Sequence, residues 1–218
     1  MIKKPETHEE WLEARRNGIG GSDAACVVGC NPWKSNVALW REKSRLEQPA
    51  DISDSDAVKF GKQAEAPVRE LFLLMHPEYA CEYHEFWMHC ADDSPFIYAT
   101  LDGELTEIET GRRGIYEGKT TTIQSAWQWD SWKNRVPQHY YIQLLHQLLA
   151  CEWADFAVLN AFIRYHRGDE ERAKMQNYII FRDDPQIIAD MAMLKTAETA
   201  FWQMVEGGKE PPLILPKI

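Results

Sequence analysis

LDGELTEIETGRRGIYEGK, residues 101–119, sets two acids and a lysine around the turns of a short β meander. Asp102-Gly103 is a hairpin-type turn signal, and Thr110-Gly111-Arg112-Arg113-Gly114 is another. After the second turn, period-two alternation puts Ile115, Glu117 and Lys119 on one strand face, with Gly118 opposite. A turn centred between Gly111 and Arg112 predicts Glu104 opposite Lys119, with Asp102 just beyond at the same sheet end. Two readings stand. Asp102 can be a turn residue and Glu117–Lys119 a solvated pair contributing about a few tenths of a kcal/mol. Alternatively, the β-forming Ile115-Tyr116 and Thr120-Thr121-Thr122 mark a central strand, where a covered carboxylate needs a metal or a partner.

The second reading has a definite chemistry. Two nearby acids repel unless they share a divalent cation, and hard carboxylate oxygens suit Mg²⁺ or Mn²⁺. A lysine beside them can hold an attacking water and offset charge on a phosphorane-like transition state. Asp…Glu-x-Lys is thus a kit for metal-assisted phosphodiester hydrolysis.

Working outward, 218 residues predict one domain, 1–218, large enough for a core without staples. The composition, 44% hydrophobic and 27% charged, is that of a globular protein. MIKKPETHEEW has no apolar run behind its lysines and does not read as a secretory signal. Even YYIQLLHQLLA is interrupted by polar residues, well short of the ~18 apolar residues a membrane span requires. Five cysteines without framework spacing predict free thiols in a reducing, cytoplasmic compartment. A net charge of -10 argues against a simple nucleic-acid coat but permits a local basic groove. The nine tryptophans predict core or subunit-interface residues, with a minority free to stack.

Helices are expected over 6–16, from an N-cap at Ser22 to Gly29, after Ser35, and over 54–76 with Pro67 as a kink or a new start. Three or four short strands follow within 81–119. Two helices are expected at 122–133 and 137–151, strands in ADFAVLNAFI and QNYIIFR, and a closing helix at 185–207. The segment 47–56 reads as a polar loop, and KEPPLILPKI as an extended tail packing on a neighbour. Helices flanking a run of strands give an α/β fold with a central mixed sheet.

Several side chains outside the meander have two readings each. Glu65 shares a helical stripe with Gly61, Val68 and Phe72, where a carboxylate pairs with a core base or faces a metal. Gln143, with Tyr140 and Gln147, forms either a solvent face or a polar stripe facing a site. Ser22 after Gly20-Gly21 is either a simple cap or part of an anion site closed by Arg15 or Arg16. Cys81, His84, His89 and Cys90 match no zinc spacing, and adjacent His89-Cys90 point to opposite faces.

Asp102 with Glu117-Gly118-Lys119 resembles the PD-(D/E)xK nuclease core, with Leu101 in place of the proline. GIGGSDAACVVGCNPWKS (18–35), FGKQAEAPVRELF (60–72) and YYIQLLHQLLA (140–150), in that order, resemble the YqaJ-like viral recombinase family, the lambda-exonuclease-like enzymes, over roughly residues 10–160. The resemblance implies a restriction-endonuclease-like core and a Mg²⁺-dependent 5′→3′ exonuclease, with Mn²⁺ also supporting activity. Such an enzyme acts on linear double-stranded DNA ends, releases mononucleotides and leaves 3′ overhangs. It implies Asp102, Glu117, the Gly118 carbonyl and Glu65 at the metal, Lys119 and Gln143 at the water, and Ser22 with Arg15 or Arg16 at the 5′-phosphate. Tyr140, Trp33 and Lys62 are possible DNA contacts, and Arg41, Lys43, Arg45, Lys59, Arg112, Arg113, Lys133 and Arg135 possible lining residues. A homotrimeric ring, a single-strand annealing partner and a bacterial host cytoplasm complete the family expectation. A non-ring, structure-specific nuclease of the same superfamily and a catalytically silent DNA-binding relative are the alternatives.

Overall fold

A computed structural model describes residues 1–52, 54–133 and 135–215. In chain order the elements are β1 (Ile2–Lys3), α1 (His8–Arg15), α2 (Gly21–Val27), α3 (Asn36–Lys43), α4 (Asp56–Met75), β2 (Tyr79–Glu82), β3 (Met88–Cys90) and β4 (Tyr98–Ala99). They continue with β5 (Gly103–Glu107), β6 (Arg113–Ile123), α5 (Ala126–Trp132), α6 (Gln138–Ala150), β7 (Phe156–Arg167), β8 (Glu170–Phe181) and α7 (Pro185–Glu206). The main sheet runs β2-β5-β6-β7-β8, and a smaller one runs β1-β3-β4. Only β6–β7 is parallel among the pairs of the main sheet, because α5 and α6 form the crossover between those strands.

Strand alternation on β6 and β7 divides the core between two helical layers. Leu105, Tyr116, Phe156 and Val158 meet Phe72 of α4 on one face. Ile115, Ala157, Leu159, Ala161 and Ile163 meet Leu144, Leu145 and Leu148 of α6 on the other. Each buried Val, Leu, Ile or Phe side chain among them contributes about 1.5–3 kcal/mol. The mixed sheet between helices agrees with the expected architecture.

Three differences from the sequence reading bear on the site. In the meander, Glu104 pairs with Ile115, not Lys119. Glu107 accepts from Gly111 and donates to the Arg112 carbonyl, so the turn lies earlier than expected. The register changes by an even number of residues, so each side chain keeps its face. Next, α2 starts at Gly21 with Gly20 as its N-cap, and the Asp23 carboxylate, not Ser22, accepts from the Gly20 N–H at 3.1 Å. Ser22 is exposed in the first turn, while Gly29 ends the helix at φ +70° as expected. Finally, residues 122 and 123 extend β6, so α5 begins only at Ala126, capped by Ser125.

Elsewhere, α4 runs through Pro67 as one helix rather than restarting there. β7 and β8 form a longer hairpin than expected, since the polar half of β8 lacks the alternation that marks a strand. The C-terminal segment packs on its own chain: Asn36 donates to the Pro212 carbonyl at 2.8 Å and accepts from the Ile214 N–H at 3.0 Å. Pro216, Lys217 and Ile218 of the expected tail, and Ser53 of the polar loop, lie outside the described residues.

Candidate active site

The site grows from an unpaired stretch of strand edge. β5 starts at Gly103, opposite Tyr116, so among the described residues β6 beyond that point has no strand neighbour on this side. Asp102 crosses the gap, and its Oδ2 accepts from the Gly118 N–H at 2.9 Å. A strand residue's N–H and C=O leave on the same edge, so the Gly118 carbonyl also faces the Asp102 side. Arg69 of α4 donates to the Asp102 carbonyl at 2.8 Å and lies over the Tyr83 ring, fixing the turn from below.

Glu117 projects toward α6 and is only 3% exposed. Its Oε1 accepts from Lys119 and from the Gln143 side chain at 2.6 Å, and its Oε2 accepts from Gln147. A carboxylate buried this far needs hydrogen-bond partners for both oxygens. The Gln143–Gln147 stripe therefore faces the sheet, not solvent. Burial alone lowers the Lys119 ammonium, but Glu117 and Asp102 outweigh it and hold the group above its ordinary range.

Glu65 enters from α4 on the solvent side, and no hydrogen bond or ion pair holds it among the described residues. Desolvation, and then the Glu117 charge, raise its carboxyl above the ordinary value. Asp102 is pushed up to about 8, by burial first and by Glu117 next. Together the three acids and Lys119 line a cavity of about 190 Å³, enough for several waters.

The opposite wall comes from GIGG. Ile19 bridges to Ile97 in parallel, donating to the Phe96 carbonyl at 2.7 Å. This brings the backbone close to β4: a Cβ on Gly18 would lie 2.4 Å from the Phe96 oxygen, and one on Gly20 2.9 Å from the Tyr98 hydroxyl. Glycine is required there by close approach. Ser22 and Arg15 line the same cavity as the acids. The Tyr98 hydroxyl and Lys43 Nζ both donate to the Arg15 carbonyl, at 3.1 and 2.9 Å. Arg16 turns away, donating to Gln48 and standing 3.9 Å from Glu13.

The remaining expected residues divide between rim and elsewhere. Lys62 borders an adjoining groove with Glu65 and Thr120. Lys119 Nζ lies 5.3 Å from the Tyr140 ring, which packs against His139, and the exposed Trp33 meets His139 edge-on. Lys43, expected to line DNA, is instead buried against Asp23 at 2.8 Å. Arg41 and Arg45 bind Glu47, Glu210 and Glu13, and Arg113 binds Glu104 near the far end of β6. These cations are occupied because the acidic surface supplies partners locally.

Sequence reasoning missed the roles of Arg69 and Tyr98. Arg69 carried one signal, its position one helical turn from Glu65; Tyr98 carried none. His89 faces Glu104 at 3.2 Å and His84 stacks on Trp87, so these residues serve other contacts. Among the described residues no group of three or more His, Cys, Asp and Glu side chains stands ready to hold a metal ion. For the acid trio, the Glu117 oxygens are taken by Lys119, Gln143 and Gln147. The donor chemistry itself fits a hard divalent cation: Asp102, Glu117, Glu65 and a carbonyl share one cavity, with Asp102 and Glu65 raised first by burial and then by the Glu117 charge.

Fold and cleft define an α/β protein with a carboxylate-rich, lysine-bearing site at an open edge of a mixed sheet. The model of the YqaJ-like viral recombinase domain matches residues 10–153. The chain belongs to that family. It is 32% identical to the protein YqaJ of Bacillus subtilis (strain 168) over 225 residues, covering 95% of this chain and 59% of that protein. The chain thus spans under two thirds of the length of that relative. Among solved structures it resembles an alkaline exonuclease, LHK-Exo, from Laribacter hongkongensis, with a TM-score of 0.64 and 18% identity, covering 92% and 93% of the two chains. The same enzyme in complex with dAMP gives a TM-score of 0.63 at 18% identity, with the same coverage. The fold is therefore that of the alkaline exonuclease. No helix among the described residues is long and apolar enough to cross a membrane.

Proposed function

We propose that residues 1–218 form one metal-dependent deoxyribonuclease domain that degrades linear duplex DNA from a 5′ end. The observation that carries this reading is the convergence of Asp102, Glu117, Lys119, Glu65 and Gln143 at one cavity whose other wall is Arg15 and Ser22. Asp102, Glu117, Glu65 and the Gly118 carbonyl would hold Mg²⁺ or Mn²⁺, which supplies charge neutralisation and a more acidic bound water.

The chain's own groups do the rest. Lys119, held as an ammonium, orients the attacking water and stabilises negative charge on the phosphate. Gln143 adds a neutral donor at the same point. Arg15 grips the terminal 5′-phosphate, with the Ser22 hydroxyl as a further donor. A fixed terminal phosphate sets the distance from the end to the reacting bond, which gives mononucleotide products and 5′→3′ direction. Trp33, Tyr140 and Lys62 border the approach, and the overhang left behind is a substrate for a single-strand annealing protein. A homotrimeric ring would set an acidic outer surface apart from a DNA-facing one.

Purified chain with Mg²⁺ and end-labelled linear duplex tests this directly. Mononucleotide release from the 5′ strand is expected, reduced about 100-fold or more by Lys119→Ala. Equal digestion by both proteins, or release from the 3′ strand, refutes the assignment.

A further inference from the structure

The geometry points to Gln147 as a positioning residue for Glu117. The inference rests on the reading above for its kinetic consequence but not for its structural one. Gln147 is 1% exposed and lies behind the carboxylate, away from the cavity wall. Its amide donates to Oε2, whereas Lys119 and Gln143, which line the cavity, both donate to Oε1. The two oxygens thus have separate donors. Bonds to Oε1 can be exchanged for a bound group while Oε2 stays anchored.

The donor assignment follows from chemistry, since the reversed amide would set two oxygens against each other. In this orientation the Gln147 carbonyl is sealed from solvent and has no donor among the described residues. Leucines at 144, 145 and 148 fill the surrounding core without leaving such an orphan. A glutamine here therefore has one polar task, which is to hold Glu117. Being neutral, it orients the carboxylate without cancelling the charge a cation needs. The helix is also held in rotation: His146, fully buried, bridges Glu198 at 2.6 Å and the Tyr98 carbonyl at 2.8 Å. Gln143 and Gln147, one turn apart, consequently reach the same carboxylate.

The test compares wild type with Gln147→Met, which keeps side-chain length and loses the donor. Three quantities are measured on the purified chain: Mn²⁺ affinity by electron paramagnetic resonance, Tm without metal, and kcat and KM on linear duplex. Mn²⁺ affinity is expected to fall about 10-fold and kcat about 10–100-fold with KM unchanged. Tm should fall only slightly, because the lost donor to Oε2 is partly offset by removal of the orphaned Gln147 carbonyl. Wild-type Mn²⁺ affinity in the variant overturns the inference, whether or not Tm falls. A wild type that binds Mn²⁺ but cuts no duplex sinks the nuclease reading, and the affinity comparison then still decides on Gln147. A wild type that binds no Mn²⁺ overturns both.

Discussion

Asp102→Asn should stabilise the metal-free protein in a pH-dependent way. Asparagine keeps an oxygen to accept the Gly118 N–H and removes one of three like charges from the cavity. The Asp102 carboxyl rises from 3.8 to about 8 on folding. Below pH 3.8 it is protonated in both states and imposes no penalty. From there to about 8 the unfolded chain releases a proton that the folded chain retains, so stability falls as pH rises. That span corresponds to an upper bound of roughly 6 kcal/mol at about 1.36 kcal/mol per pH unit. Burial is the larger cause and the Glu117 charge the second, and an effective dielectric nearer ~20 than ~4 for such sites leaves roughly 1–3 kcal/mol. For a chain of this size the gain is roughly 3–10 °C in Tm. Differential scanning calorimetry in EDTA at pH 4.5 and pH 8 measures it. Both proteins share every other titrating group, so their difference isolates Asp102. The variant should exceed wild type at pH 8 and match it near pH 4.5, and Mn²⁺ should close the gap by stabilising wild type more. A variant no more stable at pH 8, or equally favoured at both pH values, refutes the penalty that burial and the Glu117 charge place on ionised Asp102.

Two further outcomes follow from the same geometry. Arg15→Ala should abolish the preference for 5′-phosphorylated over 5′-hydroxyl duplex ends while Arg16→Ala leaves it intact, because only Arg15 lines the cavity; initial rates on the two substrates decide this. Asp23→Ala should cost about 3–5 kcal/mol in urea unfolding, because it strands the buried Lys43 ammonium and frees the Gly20 N–H; a change under about 1 kcal/mol would show the pair to be dispensable.

Local chemistry made much of this legible. Alternation in Ile115-Tyr116-Glu117-Gly118-Lys119 assigned faces that tertiary structure preserved, because a register change by an even number leaves every side chain on its side. The Ser35 cap and the Gly29 terminator satisfy helix ends through bonds within a few residues, so neighbouring residues suffice to identify them. Ser22 was misplaced because the helix starts at Gly21, with Gly20 as its N-cap and the Asp23 carboxylate reaching back to the Gly20 N–H.

By itself the sequence determined the layered α/β pattern, the face shared by Glu117 and Lys119, and the polar stripe of Gln143 and Gln147. Tertiary structure alone decided that this stripe meets the sheet, that Arg15 rather than Arg16 joins the acids, and that Lys43 is buried. The physical reason is range. Alternation, capping and turn chemistry act over a few residues, whereas the partners of a buried charge come from whichever distant elements the core packs against it.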